Sequence, residues 1–239
     1  MLNRPLTQFT IAYIFIICAE VFALFMSDVL PFFFFLSRPL ALIFLSVFFF
    51  QQTEGLRSLY AYMMQFGLFA SLVGEVFWMF RTESLFLGLG LSFSFFGIVA
   101  YTISFFYAEA RYREYPILIR KPWLVLIFLI YGLAPILLLY PNLREWEGPV
   151  ITLMVSLVIM CLVALNRWRR VPQGSFGDVL MGALLLLLSL SLSMLSAFAA
   201  PTWIPFSEYW ILITCSIGHY LIATGYLKQL VIRFRSVDF

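Results

Sequence analysis

Charge is scarce in this sequence and histidine scarcer: of 239 residues, 11% are Asp, Glu, Lys or Arg, and one is His. The net charge of +3 sits in the connecting segments and forms no basic face, so nucleic acid is not an expected partner. His219 stands alone as a histidine, which argues against a zinc site or other metal centre. The three cysteines, Cys18, Cys161 and Cys215, fall inside apolar runs and read as buried apolar thiols, with neither a disulfide framework nor metal-ligand spacing. No G-x-S-x-G elbow and no nucleotide-phosphate loop occurs, so the usual serine-hydrolase and NTPase signatures are missing and no cofactor is expected. Alternation of apolar and polar residues, the mark of a membrane β-barrel, is also lacking: FFFFL (32–36) and LLLLL (184–188) are continuous.

What the chain does have is apolar surface. It is 63% hydrophobic and 19% aromatic, with a mean hydropathy of +0.99. Apolar runs of about 20 residues are the length of a bilayer crossing. Eight are expected, at roughly 8–26, 30–50, 60–80, 84–107, 121–140, 148–166, 178–199 and 206–230. The fold class is therefore all-α, a polytopic membrane bundle of eight transmembrane helices forming a single domain over 1–239. Glu20 interrupts the first run and no small-x-small cleavage site follows, so that run is expected to be a retained helix rather than a signal peptide.

Charge asymmetry sets the expected orientation. With the N-terminus inside, the inner side holds Arg4, Arg57, Arg111, Arg113, Arg120, Lys121, Arg167, Arg169, Arg170, Lys228, Arg233 and Arg235, twelve of the fifteen Lys and Arg. Arg81 and Arg144 fall outside, and Arg38 lies within the second helix. Under the positive-inside rule both termini are cytoplasmic. Compact loops suit a bacterial inner membrane. Pro141-Asn142 and Pro201-Thr202 are expected to close the fifth and seventh helices, and Pro172-Gln173-Gly174 to break the loop between the sixth and seventh. Trp78, Trp123, Trp146, Trp168 and Trp203 lie near helix ends and read as interfacial anchors.

Within the spans the ionisable set is Glu20, Arg38, Glu75 and His219. Such groups are costly in hydrocarbon, which makes each a functional candidate and makes unlike charges meet. Glu20, Arg38 and Glu75 fall at similar depth in the outer half of their helices. They read either as an ion-pair cluster holding the first three helices or as the lining of a polar pocket opening outward. Gly67, Ser71 and Glu75, at i, i+4 and i+8, share one helix face. His219 reads equally as a hydrogen-bonded packing residue, and Ser189, Ser193 and Ser196 as an interhelical hydrogen-bonding stripe. A faint internal echo, Gly67 eight residues before Glu75 and Gly182 eight before Leu190, suggests a 4+4 repeat of a kind some transporters have.

The order of motifs resembles that of the YhhN family of integral membrane proteins, whose characterised animal members are lysoplasmalogenases. Arg38-Pro39-Leu40 stands where the family has a basic residue, Pro and an apolar residue. SLVGEVF (71–77) resembles its S-x-x-G-D motif, and FLGLGLSFSFFGIVAY (86–101) its F-x-x-G followed by G-H-x-x-Y. GPVITLMVSLVIMCLVALNR (148–167) is similar to its P-V helix, GALLLLLSL (182–190) to G-A-x-x-F-x-x-S-D, and GHYLIATG (218–225) to Q-Y-L-I-x-x-G. Three departures stand out: Glu75 replaces the first Asp, Leu190 the second, and Ile98 the histidine.

The resemblance implies hydrolysis of the vinyl ether bond of a lysophospholipid or related single-chain lipid, with no cofactor. Such chemistry wants a general acid and a group that activates water. The catalytic candidates are Glu75 and, if the first helix faces the same pocket, Glu20. Arg38 is the candidate for the phosphate, with Ser71, Tyr101, Ser189 and His219 as further pocket residues; the expected partner is a membrane lipid or lysolipid. Two other readings stand beside this one. The chain could be a non-catalytic relative that binds a lipid or apolar ligand, or a small transporter.

Overall fold

The computed structural model of the protein describes residues 3–27, 29, 31–54, 58–106, 116–199 and 206–235. Arg57, Arg111, Arg113, Pro201, Thr202 and Trp203, and the side chains of Arg4, Arg233 and Arg235, lie outside the described residues. Helix is the regular structure throughout: α1 (Asn3–Phe25), α2 (Pro31–Ser37), α3 (Leu40–Thr53), α4 (Leu59–Trp78), α5 (Ser84–Phe106), the single turn α6 (Ile117–Arg120), α7 (Trp123–Leu143), α8 (Glu147–Asn166), α9 (Gln173–Phe198) and α10 (Ser207–Arg235). Among the described residues, 7 stretches are long and apolar enough to cross a membrane. One of these, Trp123–Asn166, is 44 residues long. It holds α7 and α8, which reverse through the short 3-10 turn Arg144–Trp146 and pack on each other.

Three expectations need correction. The apolar run 30–50 is one candidate span, Phe32–Thr53, but it is interrupted at Arg38-Pro39 into α2 and α3. Proline has no N–H to give the helix ladder and clashes with the carbonyl four residues back. Pro141 does not close its helix: α7 carries both Pro135 and Pro141 and runs on to Leu143. The reversal comes at Arg144, whose φ of 48° is left-handed. Trp78 is no interfacial anchor, since it is buried and its indole N–H donates to Ser94 Oγ at 3.2 Å, joining α4 to α5.

Glycine sets the closest helix contacts. A Cβ on Gly97 of α5 would lie 2.7 Å from Ser71 Oγ of α4, and one on Gly182 of α9 would lie 2.7 Å from the Gly218 carbonyl of α10. Small residues are what allow backbones to approach this far when no water drives the helices together. The core formed around these pairs takes in Leu45, Met64, Leu68, Tyr101, Met160 and Ile222. Outward faces are apolar too: Phe15, Phe32 and Leu137 are each at least 70% exposed. The described salt bridges lie instead toward the two ends of the bundle. Arg38, Glu75, Arg81, Ser196 and Glu208 meet at one end, and Arg167, Ser175 and Gln229, with the pair Asp178–Lys228, lie toward the other.

Candidate functional site

The site begins with the broken helix. Because α2 stops before Pro39, the first amides of α3 have no carbonyl behind them and need another acceptor. Glu20 of α1 provides it: its Oε1 accepts the Ala41 N–H at 3.3 Å. A carboxylate on a helix N-terminus meets unpaired N–H groups and the positive end of the helix dipole, so this helix start favours a carboxylate at its N-terminus. Glu20 is only 1% exposed, and its other oxygen, Oε2, accepts from Ser216 Oγ of α10 at 3.3 Å.

Arg38, in the break itself, turns toward α4. Its Nε lies 3.4 Å from Glu75 Oε2, and its Nη1 lies 3.9 Å from Glu208 Oε2. Glu208 also holds Arg81 at 2.5 Å and accepts from Ser196 Oγ at 3.2 Å. Glu75, Arg38, Glu208 and Arg81 thus form a chain of alternating charge from the half-buried interior to the bundle end. The remaining oxygen of Glu75, Oε1, accepts from Cys215 Sγ at 3.3 Å.

The two carboxylates therefore reach α10 at consecutive residues, Glu75 at Cys215 and Glu20 at Ser216. They come from different helices, α4 and α1, yet lie within electrostatic range of each other and of Arg38. Four residues further along α10, His219 Nδ1 lies 2.9 Å from the Tyr101 hydroxyl of α5. Ser71, on the Glu75 face of α4, lies beside this pair, since a Cβ on Gly97, one turn before Tyr101, would meet its Oγ at 2.7 Å. Ser189 of α9 donates to the Ile211 carbonyl at 2.9 Å, one helical turn before Cys215 on α10. Ile211, Cys215 and His219 fall at i, i+4 and i+8, so one stripe of α10 is the surface on which the others converge.

Every candidate from the sequence is accounted for in this arrangement. Glu20, Arg38 and Glu75 meet, Ser189 bonds the α10 backbone one turn before Cys215, Tyr101 bonds His219, and Ser71 lies alongside them. Cys215 is buried, but it is a thiol on a carboxylate rather than an inert apolar filler, and Cys18 is exposed on the outer face. Sequence reasoning missed Cys215, Ser216, Glu208, Arg81 and Tyr13, the last donating to the Ser216 carbonyl at 2.9 Å. Cys215 had a signal, since it stands one helical turn before His219. Ser216 had none. Among the described residues no three His, Cys, Asp or Glu side chains group as metal ligands would.

Ile98 and Leu190, at the two positions where polar residues were expected, are both buried in the apolar core. The arrangement thus has three carboxylates, Glu20, Glu75 and Glu208, two guanidinia, Arg38 and Arg81, and a set of hydroxyl donors. Two carboxylates in unlike surroundings, Glu20 on a helix start and Glu75 on a guanidinium, are the kind of pair that general acid and base chemistry uses.

The model of the YhhN family matches residues 33–226. The match takes in Arg38, Glu75, Tyr101, Ser189, Cys215 and His219, and leaves Glu20 before its start. No curated protein and no solved structure matches the chain.

Proposed function

The chain belongs to the YhhN family, and from that premise we propose that it hydrolyses the vinyl ether bond of a single-chain lysophospholipid, or a close relative of that lipid, within the bilayer. The supporting observation is the convergence of Glu20 and Glu75 on neighbouring residues of α10. Leu190 removes one of the family's two acids, so two-carboxylate chemistry requires another, and Glu20 bonds the residue of α10 next to the one that Glu75 bonds.

Glu20 has no cation among its described salt-bridge partners and takes the role of proton donor. It protonates the enol-ether carbon remote from oxygen, leaving an oxocarbenium ion. Glu75 takes the proton of a water molecule as that water adds to the cationic carbon. The hemiacetal then loses the glycerophospho-alcohol, so one vinyl ether and one water give one aldehyde and one alcohol. General acid and base steps of this kind typically contribute about 10²- to 10⁴-fold each. Arg38 holds the phosphate, whose oxygens replace Glu208 in the loose 3.9 Å pair. Tyr101 and His219 line the pocket.

In the membrane we read Trp123–Asn166 as two crossings, for eight in all. About 20 helical residues span the hydrocarbon, and α7 and α8 are 21 and 20 residues long. Both termini are then cytoplasmic and the carboxylate end faces outward, in keeping with the Lys and Arg asymmetry. A bacterial inner membrane is the proposed location.

The test is aldehyde release by purified protein given lysoplasmalogen, beside Glu75→Gln and Glu20→Gln. Release that falls in both variants supports the assignment. A folded, lipid-carrying protein that releases none sinks it and favours the second reading, a lipid-binding relative without chemistry. That reading draws on Ile98 and Leu190, both apolar and buried.

A further inference from the structure

Glu208 stands where the substrate's phosphate is assigned, so the site already holds an anion of its own. It lies in the first turn of α10, and its carboxylate bridges two guanidinia. Oε1 accepts from Arg81 Nη2 at 2.5 Å, and Oε2 lies 3.9 Å from Arg38 Nη1. Ser196 Oγ of α9 donates to Oε1 at 3.2 Å and accepts from Arg81 Nη2, also at 3.2 Å. Two cations and a hydroxyl, from the α2–α3 break, the α4–α5 connection and α9, thus converge on one carboxylate. Guanidinia that converge on paired oxygens in this way are equally suited to the oxygens of a phosphate.

Of the two carboxylates on Arg38, Glu208 is the one that can give way. Its side chain is 32% exposed and lies 3.9 Å from the guanidinium, whereas that of Glu75 is 15% exposed and lies 3.4 Å away. An exposed ion pair contributes little, because water and salt solvate both partners once it parts. Parting a more buried one strands a charge. A phosphodiester carries a single negative charge, so exchanging it for Glu208 leaves two guanidinia facing two anions. In the membrane arrangement proposed above, the place also suits a headgroup. Arg81 lies between the candidate spans that end at Trp78 and resume at Ser84, and Glu208 is the second residue of the span Ser207–Leu230. Trp210, two residues further on and exposed, has the position of an indole at headgroup depth.

We propose that Arg81 is a second phosphate-binding residue, and that Glu208 is a built-in competitor, occupying both guanidinia until the phosphodiester of a single-chain phospholipid displaces it. These roles rest on the assignment of Arg38 to the substrate's phosphate and not on the vinyl ether chemistry. The apparent affinity is the intrinsic one reduced by the fraction of molecules in which Glu208 has swung away. A lipid with the same chain and no phosphate gains nothing from the exchange.

The full chain, purified in a nonionic detergent, is titrated with an alkyl-ether lysophosphatidylcholine, which has no vinyl ether to cleave, and with the matching alkyl glycerol, which has no phosphate. Native mass spectrometry reads the lipid retained. Arg81→Gln is expected to weaken binding of the phospholipid about tenfold or more, as for loss of a charge-assisted hydrogen bond. Glu208→Gln is expected to tighten it about threefold or more, as removal of an internal competitor does. Neither changes retention of the alkyl glycerol, and Lys121→Gln, which removes an exposed cation outside this cluster, changes neither lipid. If Glu208→Gln does not fold, Glu208→Asp, one methylene shorter with the charge kept, tightens binding in the same direction. An Arg81→Gln protein that holds the phospholipid as the unaltered one does, or that loses both lipids alike, overturns the assignment, as do Glu208 variants that bind no tighter. Inorganic phosphate that binds with this dependence where the phospholipid does not bind overturns the lipid as ligand. Aldehyde release from lysoplasmalogen is read on the same preparation. No release beside the expected binding pattern sinks the hydrolase reading and leaves these roles standing, and release beside binding indifferent to Arg81 and Glu208 does the reverse.

Discussion

The hydroxyl of Tyr101 lies 2.9 Å from Nδ1 of His219, tying α5 to α10 across 118 residues of sequence. Both side chains are buried, so neither group has water to turn to when the other is removed. Tyr101→Phe is expected to lower stability by about 1–3 kcal/mol, the penalty for stranding a buried polar group. Unfolding of Tyr101→Phe, His219→Ala and the double variant in one detergent checks this. A double variant no worse than the poorer single one is the expected signature, and strict additivity would mean that the bond contributes nothing.

Glu20 and Glu75 act on one reaction in the proposed mechanism, so their variants are not expected to add. Glu20→Gln and Glu75→Gln should each reduce aldehyde release by about 100-fold or more, and the double variant should be little slower than the worse of them. Single-turnover rates on lysoplasmalogen give the comparison. Full turnover by Glu20→Gln would return α1 to a purely structural role.

Packing at the helix crossings makes a second kind of prediction. In Gly182→Ala the new Cβ would meet the Gly218 carbonyl at 2.7 Å and the Ile222 amide nitrogen at 2.9 Å. Both are backbone, so α9 and α10 must part, at about 1–3 kcal/mol. Gly148→Ala has nothing within 4 Å of its Cβ, and should leave unfolding unchanged or improve it by about 0.5–1 kcal/mol through helix propensity. Thermal unfolding of the two variants side by side is the measurement.

Open space at Gly148 and Gly174 also serves topology, since neither position has a neighbour within 4 Å of an added Cβ. Gly148 lies at the start of α8 and Gly174 at the start of α9, so the length of α8 separates them. Gly148→Cys should react with a membrane-impermeant maleimide in right-side-out vesicles, and Gly174→Cys only after permeabilisation. Of the native thiols, Cys161 and Cys215 are buried, and Cys18, exposed within the candidate span Leu6–Phe25, sets the background to subtract. Labelling of both positions from one side would mean that α8 does not cross.

Much of this was legible in the sequence because a bilayer leaves little choice. Apolar runs of crossing length become helices, and Glu20, Arg38 and Glu75 had few places to go except toward one another. What was not legible were contacts decided by helix rotation. Ser216 looks like filler until α1 is seen to bring Glu20 against it from 196 residues away. Trp78 sits at a helix end, where an indole commonly meets headgroups, and only its bond to Ser94 reveals that this end faces inward. Pro39 was visible, but a proline in an apolar run kinks some helices and severs others. The severed outcome is the one that frees the Ala41 amide for Glu20.

That severed span has a mechanical side. Among the described side chains of α2, Phe32, Phe33, Phe35 and Leu36 are exposed and only Ser37 is buried. In the membrane arrangement proposed above, this seven-residue rod turns those side chains to lipid tails. A bilayer that thins or thickens is met by tilting and shifting of the elements it surrounds, and Arg38 rides on the end of this one. The ion pair at the centre of the site is in that sense suspended from the membrane's own elasticity.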